Sequence, residues 1–205
     1  VWSPNGEEIA FKNIDNNKLA LWKVNINNGK LHKFKGDSLS GDVHHLIWNN
    51  ENKIIYQKEG NRNFYVLDAS TEERTELLKD DSVGWGVAPS FSPDMNHVSL
   101  FWNRPRDGRG VWVIPIKNGI LDEKNARRLI ARDCYSSEWS KNNKLLYAYC
   151  GEKIITVQAT DGSIIDSIYV TPLANFKQMT SDEKTFIFIM NSEATTDLWY
   201  INDIE

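Results

Sequence analysis

Three arginines fall within six residues of the segment Asn103-Arg104-Pro105-Arg106-Asp107-Gly108-Arg109-Gly110. A guanidinium is planar, permanently charged, and donates through a fork that matches a carboxylate or phosphate two bonds at a time. Arg104, Arg106 and Arg109 are therefore candidate anion-binding residues. The competing expectation is a solvated loop in which these cations pair with Asp107, Asp80 or Asp81, since exposed ion pairs are common and contribute little.

Other side chains invite the same weighing. Trp85 stands between Gly84 and Gly86 in a segment read as a loop between repeats. There it can stack on a sugar or a peptide side chain, or lid an interface. His44 and His45 precede Trp48, and His44 is a binding candidate beside a packing role. Neither has companions at metal-ligand spacing, because His32 and His97 fall elsewhere, so no metal or cofactor is expected. Cys134 and Cys150 flank an expected hairpin, where a register error of one residue turns the side chains to opposite faces. Free thiols are the favoured reading over a bridge.

Gly36-Asp37-Ser38-Leu39-Ser40, with Asp42 and His45, matches a hydrolase nucleophile block and its Asp-x-x-His pair. A working triad draws its members from distant segments, whereas these crowd into one polar stretch. No phosphate loop, dinucleotide fingerprint or Gly-x-Ser-x-Gly elbow is present. No catalytic residue is assigned.

The elements that position these groups come from a repeat. The 205 residues carry 24 basic and 28 acidic side chains, a net charge of −4 that exerts no global pull on nucleic acid. No run reaches the roughly 18 apolar residues that membrane insertion by a helix needs. An aromatic or large apolar anchor followed by a polar turn recurs at Trp2, Trp48, Phe91, Trp139 and Met179, spaced by 46, 43, 48 and 40 residues. Seven residues after each anchor stands Ile9, Ile55, Val98, Leu146 or Phe186. This constant offset, with no gap needed in five copies, marks a true repeat.

Each copy continues with a third apolar run: Leu19 to Val24, Phe64 to Leu67, Val111 to Ile116, Ile154 to Val157 and Leu198 to Ile201. Asn28-Gly29, Asn118-Gly119 and Asp161-Gly162 then supply the positive φ angles of hairpin turns. Fourth strands follow at Lys30 to Phe34, Arg74 to Leu78, Arg127 to Ile130 and Ser163 to Val170. The expected unit is a four-stranded antiparallel meander. A sandwich strand alternates apolar with polar residues, but Val111-Trp112-Val113-Ile114 and Ile187-Phe188-Ile189-Met190 are continuously apolar. Cover on both faces follows, which radially stacked meanders provide. The fold class is all-β, a β-propeller with about five repeats and both terminal blades incomplete. The blades lie near 1–34, 43–78, 88–130, 135–170 and 175–205, in a single domain or a piece of a larger ring.

Trp2-Ser3-Pro4-Asn5-Gly6 with Ile9-Ala10-Phe11, and Phe91-Ser92-Pro93-Asp94 with Val98, resemble the TolB-like propeller repeat. The other copies are degenerate: Lys141 replaces the proline, and the copies at Trp48 and Met179 lack the turn glycine. No Trp-Asp pair ends a third strand, which separates these units from WD repeats. The resemblance implies a periplasmic or extracellular, bacterial, non-catalytic binding domain that presents loops to a protein or peptide partner, with glycan as a further class. Its alternatives are the substrate-gating propeller of a prolyl-oligopeptidase-like peptidase and a propeller glycosidase or lyase.

Overall fold

The computed structural model describes residues 1–36, 46–57, 64–78, 85–104, 107–134, 136–170, 175–179, 183–191 and 196–201. They form two compact units, Val1–Trp85 and Gly86–Glu205.

The first unit holds two antiparallel sheets. One runs β1 (Glu8–Asp15), β2 (Lys18–Asn25), β3 (Leu31–Lys33). The other runs β4 (Ile47–Trp48), β5 (Lys53–Gln57), β6 (Phe64–Asp68), β7 (Arg74–Leu78). β1 and β2 pair without interruption from Glu8↔Asn25 to Asp15↔Lys18. The two linking residues, Asn16 and Asn17, both have positive φ (50° and 61°), as a two-residue turn matching strand twist requires. Ala10, Leu21 and Phe34 from the first sheet pack with Trp48, Ile54, Tyr56, Tyr65 and Leu67 from the second in one buried cluster.

The second unit holds three sheets. Its first is β8 (Trp85–Phe91), β9 (His97–Arg104) and β10 (Gly108–Lys117). Beyond β10, the short β11 (Ile120–Leu121) and β12 (Arg127–Ile130) both pair with it, separated by one 3-10 turn at Glu123–Asn125. The next sheet runs β13 (Ser136–Trp139), β14 (Leu145–Tyr149), β15 (Lys153–Gln158), β16 (Ile164–Tyr169). The last runs β17 (Asn175–Met179), β18 (Phe186–Asn191), β19 (Thr196–Ile201). Val111, Val113 and Ile130 of the first sheet meet Trp139, Leu146, Ala148, Ile155 and Val157 of the next in a buried cluster.

The recurring polar turn is a hydrogen-bonded box. The residue after each described anchor is buried: Ser3, Asn49, Ser92 and Ser140. Ser3, Ser92 and Ser140 accept through Oγ the amides of Glu8, His97 and Leu145, each 2.9 Å away. The same hydroxyls donate to Asn5, Asp94 and Asn142. Four residues past each anchor, Gly6, Asn52, Met95, Asn143 and Glu183 all have φ between 59° and 70°. Glycine tolerates that region without cost and asparagine nearly so.

The uniform seven-residue offset needs one correction. Trp2 pairs with Ile9, Trp139 with Leu146 and Met179 with Phe186, but Trp48 pairs with Ile54. The second turn is one residue shorter, closed by Asn49 Oδ1, which accepts from the amides of Glu51 and Lys53. Ile54 and Ile55 are both buried, so the apolar pattern alone does not separate the two registers.

The free-thiol reading is also corrected. Cys134 and Cys150 form a disulfide, with their Cα atoms 4.0 Å apart. Both lie just outside the β13–β14 ladder, whose last pair is Ser136↔Tyr149. Strand alternation does not govern their directions there, and the off-by-one register no longer separates them.

Candidate functional site

The segment 103–110, expected as a loop, is mostly ladder. Arg104 pairs with Gly108, Asn103 with Arg109 and Trp102 with Gly110. Cross-strand partners share a face, and the face alternates along each strand. Trp102, Arg104, Gly108, Gly110 and Trp112 therefore lie on one face, and Asn103 and Arg109 on the other.

On the first face the Arg104 guanidinium sits 4.5 Å from the Trp102 ring centroid and 5.0 Å from that of Trp112. Both indoles are buried and meet edge to face, with centroids 6.0 Å apart. A guanidinium on aromatic faces gains from the ring quadrupoles, more so when desolvated. Asp107 Oδ2 lies 3.2 Å from Arg104 Nε. Trp112 Nε1 is buried with no hydrogen-bond partner among the described residues.

The glycines make room for a second arginine. A Cβ on Gly108 would lie 2.0 Å from Nη1 of Arg128, and one on Gly110 would lie 3.2 Å from its Cδ. Arg128, opposite Trp112 on β12, lies across the trough that these two residues leave. Sequence reading missed it because it stands 20 residues beyond Gly108. The available signal was a Gly-x-Gly pair inside an apolar strand, which marks close approach of another group.

On the opposite face Arg109 Nε lies 2.9 Å from Oδ1 of Asp133, and the arginine side chain is 63% exposed. Asp133 directly precedes the bridged Cys134. Arg106, His44, His45, Asp80 and Asp81 lie outside the described residues, as does nearly all of the Gly36 to His45 block. Trp85 is not in a loop between repeats. It is the first residue of β8, because the inner strand of this repeat begins several residues before the apolar pattern suggests.

A further titratable group was not anticipated. Glu138, paired with Tyr147 across β13–β14, has its carboxyl pushed up to about 7 by burial. Four of the copies have Val1, Ile47, Ser90 and Gln178 just before the anchor, so the acid itself was the visible signal. No group of three or more His, Cys, Asp or Glu side chains suited to a metal occurs among the described residues. Among the described residues no helix is long and apolar enough to cross a membrane.

No family model matches the sequence, and no curated protein matches it. Solved structures do. TolB from Acinetobacter baumannii superposes with a TM-score of 0.73 at 12% identity, over 98% of this chain and 50% of that one. A gluconolactonase from Xanthomonas campestris gives 0.64 at 13% identity, over 94% and 71%. Hydrazine synthase from Kuenenia stuttgartiensis gives 0.56 at 15%, over 82% and 49%. The chain spans about half the length of the TolB chain it matches. At such identities the likeness is one of fold. The antiparallel meanders and these neighbours together make this chain an all-β protein with a TolB-like β-propeller fold.

Proposed function

We propose that this chain is a non-catalytic binding domain that presents the β9–β10 hairpin and adjoining loops to a protein or peptide partner, glycan being a further ligand class. The observation that carries the reading is the fixed Arg104 side chain, held by Trp102, Trp112 and Asp107 at the end of an extended hairpin. A cation already ordered before binding loses little conformational freedom on contact. The Cys134–Cys150 bridge supports an oxidising compartment, periplasmic or extracellular. Binding to peptide and glycan arrays, followed by anisotropy titration of each hit, tests the reading. Arg104→Ala and Trp85→Ala are expected to weaken a genuine hit, and unchanged affinity in both removes this face.

Glu138 favours a second reading, a propeller glycosidase or lyase. A carboxyl titrating near neutrality is suited to act as a general acid. That reading expects turnover of chromogenic glycosides or uronides, lost in Glu138→Gln. A chain with no turnover on either substrate class sinks it.

A further inference from the structure

We infer that Arg104 and Arg128 together form a seat for a carboxylate of an acidic peptide segment. This deepens the binding-domain reading and rests on it. Arg128 Nη1 lies 2.0 Å from where a Gly108 Cβ would stand, and Gly108 pairs directly with Arg104. Directly opposed Cβ positions are about 5 Å apart, so the second guanidinium lies on the same face as Arg104, close to its Cβ. Asp107 occupies the Nε side of Arg104. Its terminal Nη groups have no carboxylate partner among the described residues, and neither does Arg128.

A second observation points to an acceptor at the same place. The buried indole N–H of Trp112, the ring beneath Arg104, has no partner among the described residues. Buried donors are nearly always satisfied, and an orphan calls for an explanation. A carboxylate oxygen that reaches this N–H as the Arg104 side chain moves aside would supply the missing acceptor.

The charge balance selects carboxylate over phosphate. Among the described residues of this face, two arginines against Asp107 leave one net positive charge, which a carboxylate neutralises and a phosphate dianion exceeds. The flat Arg104 fork matches a planar carboxylate through two parallel bonds. Gly108 is therefore part of the seat, because any side chain there displaces the Arg128 guanidinium.

Anisotropy titration with a fluorescein-labelled hexaglutamate peptide tests the inference, with hexaglutamine and tripolyphosphate as comparison ligands. Saturable binding of hexaglutamate is expected, with no binding of hexaglutamine and weaker competition by tripolyphosphate. Arg104→Lys and Arg128→Lys keep the charge and lose the fork, so each should raise Kd at least tenfold. Lys124→Gln, at an exposed residue outside the seat, should change it less than twofold. Circular dichroism melts show that each variant is folded. Absence of saturable binding, unchanged Kd in both lysine variants, or tighter binding of tripolyphosphate overturns the assignment. If hexaglutamate fails while an array hit still weakens with Trp85→Ala, the binding-domain reading stands and this inference falls.

Discussion

The hydroxyls of Ser99 and Ser137 lie 2.9 Å apart in the buried space between β9 and β13, joining two consecutive sheets through side chains 38 residues apart. Trp139 adds a second polar link, donating its indole N–H to the Ser90 carbonyl at 3.1 Å. Asn143 adds a third, accepting the Asp94 amide at 3.1 Å. The left-handed turn position thus does more than close its own hairpin, since Asn143 reaches the preceding turn. Glu183 in the next copy does the same, accepting the Lys141 amide.

Removing one partner of a buried pair costs more than removing both, because the survivor is left unsatisfied. Ser99→Ala, which removes the acceptor of the Ser137 hydroxyl, should destabilise the protein by about 1–3 kcal/mol in urea unfolding. The double variant Ser99→Ala/Ser137→Ala should cost less than the sum of the single changes. Additive costs would mean that the two hydroxyls contribute independently.

The Cys134–Cys150 bridge closes a loop of sequence separation 16. A cross-link of that length is worth about 3 kcal/mol through the unfolded chain. Reduction, or Cys134→Ser/Cys150→Ser, should lower the urea midpoint accordingly without changing the far-ultraviolet dichroism at zero denaturant. A midpoint insensitive to reductant contradicts the bridge.

Glu138 gives a pH dependence of definite sign. Burial raises its carboxyl from 4.5 to about 7. Between those values the unfolded chain has released a proton that the folded chain retains, so this group lowers stability as pH rises through the window. Above about 7 the penalty is constant. Glu138→Gln should therefore match the parent near pH 4 and exceed it by up to roughly 3 kcal/mol at pH 8. A difference between the two proteins that does not change with pH would refute the shift.

Gly110 has φ 153°, and a Cβ there would lie 2.0 Å from the Ile130 carbonyl oxygen. That obstacle is backbone, next to the register shift between β10 and β12. Gly110→Ala should cost about 2–4 kcal/mol, in the range of severe steric changes. A cost below 0.5 kcal/mol would show that β12 moves aside freely.

Much of the fold was readable because its signals are local. The fourth strands Arg74–Leu78 and Arg127–Ile130 lie where the apolar runs and turn residues put them. Asn118-Gly119 forms the expected turn, with φ of 53° and 76°. The misreadings are nonlocal. Asn103 to Gly110 read as a loop because asparagine, proline, aspartate and glycine are depleted in strands, yet Asn103, Arg104 and Gly108 to Gly110 belong to the ladder, with Arg128 filling the glycine trough. The cysteine pairing turned on two residues beyond the ladder ends. Glu138 became notable only through burial, which no single segment specifies.

Arg104, Arg128 and the Trp112 indole are proposed to act as one anion seat. It is tested most directly by nitrogen-15 correlation spectra of the indole and arginine side chains during hexaglutamate addition. Trp112→Phe, Arg104→Lys and Arg128→Lys assign the signals. The largest saturable shifts are expected on Trp112 Nε1–H and on the terminal Nη–H groups of Arg104 and Arg128. Saturation that leaves these three signals in place, while others move, would contradict it.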